Sequence, residues 1–141
     1  MSRFTFSDIP GKPGTLPFIE LTLYYVGDDP HLANRLTVPA VVDSGATVNV
    51  LPRDVGEHFG LRWHEQQKIL TPGGIVYGHN SLALLLWGKV PGLKPQKLSF
   101  AWSELPSSKI RVLLGQTNFF DEFFVDFRKP LGYFEIVLKD E

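Results

Sequence analysis

Residues 36–52 read LTVPAVVDSGATVNVLP, and the fold turns on how this stretch is read. An apolar run through Val38, Ala40, Val41 and Val42 leads into Asp43. Four small residues follow (Ser44, Gly45, Ala46 and Thr47), and the chain then turns apolar again at Val48, Val50 and Leu51. Burying a carboxylate is costly unless it is paired or hydrogen-bonded, so an acid between two β-branched runs needs a built surrounding. Gly45 lets backbone turn sharply and come close to other backbone. The reading is a carboxylate on a tight loop held by two buried strands. Asp-Ser-Gly is also an ordinary turn signal, because Asp and Ser bond locally to backbone and Gly accepts positive φ. The flanks tell against a surface hairpin, which would alternate apolar with polar residues.

A second matching stretch lies nearer the C-terminus, at residues 110–120, IRVLLGQTNFF. In order, Val41, Val42, Asp43, Ser44, Gly45 and Ala46, then Val112, Leu113, Leu114 and Gly115, resemble the retroviral-type aspartic proteases, the retropepsins. That pattern is an apolar run into Asp-Thr/Ser-Gly-Ala, and later two apolar residues and a Gly opening a short helix. The resemblance covers residues 18–138, and the spacing of the two stretches suits a single-lobed member.

The chain has 141 residues, 43% hydrophobic and 13% aromatic, enough for one domain with one core. Such a content argues against disorder. Its 11 Pro and 13 Gly point to many turns, as in an all-β domain. Fourteen basic and 15 acidic residues give a net charge of −1 with no basic run, so nucleic-acid binding has little support. The chain has no cysteine, which excludes disulfides and thiolate catalysis and fits a reducing compartment. The first residues, MSRFTFSDIPGKPG, hold no long apolar segment of the secretory kind, and the apolar run at residues 82–87 is too short to cross a bilayer. A cytoplasmic protein with no membrane partner is expected.

Along the chain, residues 1–16 hold two Pro and two Gly and read as an extended or loose arm; residues 17–141 form the domain. Strands are expected at residues 18–26, 35–42, 47–51, 63–71, 75–87, 97–102 and 111–114. Residues 27–30 and 71–74 read as turns, and Gly78, His79 and Asn80 as a bulge. Residues 52–60 form a short helix, Pro52 in its first turn and Gly60 at its end. Residues 115–123 form a second, and residues 124–128 and 133–138 a closing hairpin. Many strands with short connections and one or two short helices predict an all-β, closed or nearly closed barrel. The resemblance implies the same fold, an acid-protease-like β-barrel of a single lobe with Asp43 on an inner loop.

Hydrolysing a peptide bond needs an activated water, a proton donor for the departing amine and a stabilised oxyanion. Two carboxylates sharing one proton supply these. Aspartic proteases are themselves the standard case of such a pair, whose apparent pKa values belong to the pair. Only one Asp-Ser-Gly occurs here; Asp54, Asp121 and Asp126 lack the small-residue loop, so a lone Asp43 makes no dyad. The resemblance implies a two-fold homodimer that brings Asp43 and its copy together on the axis. It gives Ser44 the role of bracing the two loops, Gly45 that of admitting substrate backbone, and Ala46 and Thr47 that of loop support. Leu113, Leu114 and Gly115 form the second loop. A flap is expected over residues 69–78, with Pro72, Gly73, Gly74, Ile75 and Val76 meeting a peptide or protein substrate. An ordinary glycine-containing hairpin reads equally well there, and Tyr77 either contacts substrate or packs.

Family members often carry further acidic residues directly after Ala46, where this chain has Thr47 and Val48. That departure motivates the rival reading, a catalytically weak or inactive module that binds extended peptides or mediates dimerisation. His31, His58, His64 and His79 show no zinc spacing, and neither a metal nor another cofactor is expected. Phe119, Phe120, Phe123 and Phe124 read as core, with a share available to a dimer interface.

Overall fold

The computed structural model describes residues 1–9, 12–25, 34–67 and 70–140. The turn expected at residues 27–30, His31 and the first position of the expected flap lie outside them. Three largely apolar strand runs build the barrel wall around the Asp43 stretch. They are β4 (Phe18–Tyr25), β5 (Arg35–Val42) and β10 (Val112–Leu114). β4 and β5 pair antiparallel from Phe18 opposite Val41 to Tyr24 opposite Arg35. β10 then runs parallel to β5, Leu113 opposite Val41 and Leu114 opposite Val42.

The other flank of the loop, β6 (Asn49–Leu51), lies on the far side of β10 and pairs with it antiparallel, Leu113 opposite Val50. β6 next pairs parallel with β9 (Gln96–Ser103), and β9 antiparallel with β8 (His79–Lys89). β8 returns to β4, Thr22 opposite Lys89, so six strands close on themselves as the expected barrel. Closure leaves those six strands with no free edge. Their inward residues, including Leu21, Leu23, Leu84, Leu86, Leu98 and Phe100, are buried in one core.

β7 (Pro72–Val76) hangs on β8 as the seventh strand of this sheet and is its edge. Here the structure corrects the sequence reading. Residues 71–74 are not the turn and residues 75–87 are not one strand. β7 and β8 form a hairpin whose two-residue turn is Tyr77 and Gly78, at φ +52° and +76°. Positive φ at both centre positions matches the right-handed twist of the flanking strands. Pro72 is tolerated because an edge strand has one unpaired side. The irregularity falls between Pro72 and Gly74, where Ser81 Oγ donates to the Gly74 carbonyl (2.7 Å), rather than at residues 78–80.

Among the described residues there are three short α-helices, α1 (Arg53–Glu57), α2 (Trp63–Gln66) and α3 (Phe119–Glu122). α2 overturns the strand expected at residues 63–71. Trp63 is fully buried and its indole N–H donates to the Trp102 carbonyl (2.8 Å), a tertiary anchor that outweighs local strand preference. No helix among the described residues is long and apolar enough to cross a membrane.

The chain ends meet in a separate three-stranded sheet. β1 (Ser2–Thr5) pairs with β12 (Tyr133–Leu138), which pairs with β11 (Phe123–Arg128). β2 (Ser7–Ile9) and β3 (Lys12–Pro13) form a small ribbon beside it. Phe134 is fully buried, stacks on Phe4 (centroids 5.4 Å apart) and packs tilted against Phe6 (5.2 Å), tying this sheet to the core. Phe119 and Phe123 are buried as expected, whereas Phe124 is 60% exposed.

Candidate active site

Asp43 follows the last residue of β5, and its N–H donates to the Leu114 carbonyl (2.9 Å), carrying the β5–β10 ladder one residue past the strand. Its carbonyl accepts the Ala46 N–H (3.1 Å), and its Oδ1 accepts the Gly45 N–H (2.9 Å). A side-chain acceptor bonding the N–H two residues on is an Asx turn. The turn chemistry of Asp-Ser-Gly and the pinned carboxylate are thus one and the same loop. Gly45 is not among the glycines with positive φ.

The second stretch splints the first. Gln116 N–H donates to the Ala46 carbonyl (2.9 Å), Thr117 N–H to the Thr47 carbonyl (2.9 Å), and the Gln116 side chain to the Ser44 carbonyl (2.7 Å). Gly115 is required by this close approach. A Cβ there would stand 2.5 Å from the Val48 carbonyl oxygen and 2.8 Å from that of Ala46.

Behind the splint lies an amide bracket that sequence reasoning missed. Asn49 is completely buried. Its Oδ1 accepts the Gly115 N–H (2.8 Å), and its Nδ2 donates to the Ser99 carbonyl (3.0 Å) and to Asn118 Oδ1 (3.1 Å). Asn118 Oδ1 also accepts the Ser99 N–H (2.9 Å), and the Asn118 N–H donates to Asp121 Oδ2 (2.9 Å). These bonds hold Asn118 at φ +82°, a conformation that costs free energy unless the surroundings impose it. The signal available in the sequence was a single amide set between Val48 and Val50.

Asp43 is half-buried, with Ser44, Gly45 and Thr47 exposed beside it. It borders two open cavities, of about 760 and about 300 Å³. Leu113 and the hairpin tip Tyr77 border both as well. Among the described residues Asp43 is the only carboxylate lining either cavity, and no described cation forms an ion pair with it. Of the expected flap residues, Ile75 and Val76 reach the smaller cavity. Pro72, Gly73 and Gly74 line neither; Pro72 and Gly74 face a different cavity beside Trp63. Leu114 is buried in the core.

One rim of the larger cavity is residues 107–111. Asp54 of α1 moors it, accepting from the Ser107 N–H (2.6 Å) and from the Ser107 hydroxyl. Partial burial works to raise the Asp54 carboxyl, but these Ser107 bonds and the nearby Arg53 charge hold it below the ordinary carboxylate value. Among the described residues no three His, Asp or Glu side chains gather as a metal-binding set. No family model, curated protein or solved structure matches this chain.

Proposed function

We propose that the chain is an aspartic endopeptidase of retropepsin type, active as a homodimer in which Asp43 of each copy supplies half of a carboxylate dyad. The observation that carries this reading is the placement of Asp43. It sits on a hydrogen-bonded loop between two cavities that the hairpin tip also borders, with no second carboxylate among the described residues lining either space. A single chain therefore offers half of the chemistry, and a two-fold partner supplies the other half.

In the assembled pair, one ionised carboxylate takes a proton from water while the protonated one polarises the substrate carbonyl. Water adds to the carbonyl carbon, and the C–N bond breaks as the amine receives a proton. The exposure of Ser44 and Gly45 suits contact across the axis and approach of substrate backbone. An apolar patch on the terminal sheet and its turn supports association. Phe124, Phe127 and Leu131 are exposed there, and Phe127 borders the same cavity as Asp43. In this reading Tyr77, which borders both cavities, closes over bound peptide as part of the flap.

The test is cleavage of extended peptides at mildly acidic pH, with Asp43→Asn as control. Cleavage is expected in wild type and lost in the variant, with activity rising with concentration as monomers pair; activity surviving in Asp43→Asn refutes the mechanism. One observation favours a second reading, an inactive peptide-binding or dimerising module of the same fold. Thr47 is exposed beside the cleft where an acidic residue would meet substrate backbone. Tight binding of a statin-type transition-state mimic separates the two, since a working dyad favours that geometry.

A further inference from the structure

We infer that Lys109 and Arg111 form an acid-selecting wall of the cleft beside Asp43, so that preferred substrates carry Glu or Asp a few residues from the cleaved bond. This rests on the endopeptidase reading for the word substrate, but the wall is a property of the cleft.

Burial alternates along residues 109–114. Ile110, Val112 and Leu114 are buried, whereas Lys109 and Arg111 are exposed and Leu113 is half-exposed. All three of the latter line the cavity that holds Asp43. Arg111 leads directly into β10, where side chains two apart share a face, as Arg111 and Leu113 do; Lys109 reaches the same cavity from the turn of residues 107–109. Leu113 borders the cavities on both sides of Asp43 and so marks the middle of the cleft. At about 3.3 Å per residue, Arg111 lies about two residues of extended peptide from that point, and Lys109 stands farther along the same rim.

The charge of this wall is of one sign. Among the described residues, Lys109 and Arg111 are the only cations lining the cavity, and Asp43, which the chemistry requires, is the only anion. Neither cation forms an ion pair among the described residues. Asp54, which borders an adjoining cavity together with Arg111, is occupied by Ser107. The Arg111 guanidinium carbon lies 5.8 Å from the centre of the Phe18 ring, a contact that orients the planar group. Ser108 adds a hydroxyl along the same rim. A surface cation is ordinarily just solvated; two unpaired cations in a concave, otherwise neutral wall focus their field on whatever chain occupies it.

The test uses a non-cleavable reduced-amide peptide scanned with Glu, Gln or Lys at each of the four positions on either side of the central bond. Binding is measured to wild type and to Lys109→Glu/Arg111→Glu, and kcat/KM for the matching cleavable peptides. Wild type is expected to prefer Glu over Gln by about tenfold at one or two positions, the worth of one charge-assisted hydrogen bond. The preference should shrink as salt is raised. In the charge-reversed variant it should invert toward Lys at the same positions, which a merely structural role would not produce. Equal binding of all three peptides, no binding of any, or a preference unchanged by charge reversal overturns the wall. Glu-selective binding without cleavage leaves the wall standing and removes the endopeptidase reading.

Discussion

The Asp43 loop and the Tyr77 hairpin face the same space but are held in opposite ways. Backbone and side-chain bonds from Leu114, Gln116 and Thr117 fasten the loop, and the fully buried Asn49 stands behind them. The hairpin ends in Ile75 and Tyr77, 68% and 61% exposed, on a strand paired on one side only. The difference follows from what each does in the proposed enzyme. A reacting carboxylate must be positioned before substrate arrives, because geometry fixed in advance lowers the barrier. A lid must open and close, and so belongs to the less stable end of the structure.

The largest effect expected is at the loop's own acid. Asp43→Asn should cut cleavage about a thousandfold with little loss of stability, seen by peptide assay beside a urea melt. The next breaks the support instead of the acid. Asn49→Ala strands the Gly115 N–H and Ser99 carbonyl and should destabilise the protein by about 3 kcal/mol in urea unfolding. At the hairpin the balance should reverse. Tyr77→Ala should shift stability by about 0.5 kcal/mol or less while lowering kcat/KM about fivefold, because its ring contributes to the cleft more than to the core.

The smallest effect belongs to the mooring of the cleft rim. Asp54→Asn should destabilise by about 0.5 kcal/mol near neutral pH, a figure kept small because the group is exposed. The Asp54 pKa is lowered on folding, so its contribution is present above the unfolded carboxylate pKa and is lost as pH falls through the folded one. Wild-type and variant melts should therefore converge in strong acid. A gap that stays constant with pH would mean that the Ser107 bonds are not what holds the rim.

Where side-chain chemistry and local pattern agreed, the fold was legible. The apolar runs of β4, β5 and β10 read as strands because a barrel wall buries them; before Asp43 β5 has the expected bounds, and after it β6 begins two residues later than expected, at Asn49. The hairpin tip was misread because Thr71, Pro72, Gly73 and Gly74 carry stronger turn chemistry than Tyr77 and Gly78. A Tyr at φ +52° is not something propensity proposes. α2 was missed because its stability comes from Trp63 reaching Trp102, a contact 39 positions away. For the site, Asp43 was visible as an acid between two apolar runs, and Gly115 as the Gly of the second motif. The Asn49 and Asn118 bracket was not, because its function is to join segments that only the barrel brings together.

The most direct measurement is a crystal structure of the protein with a statin-type peptide bound, read for the distance between the two Asp43 carboxylates. The proposed enzyme requires a two-fold dimer with these groups about 3 Å apart on either side of the statin hydroxyl. A monomer, or a dimer in which the two acids are too far apart to share a proton, would contradict it.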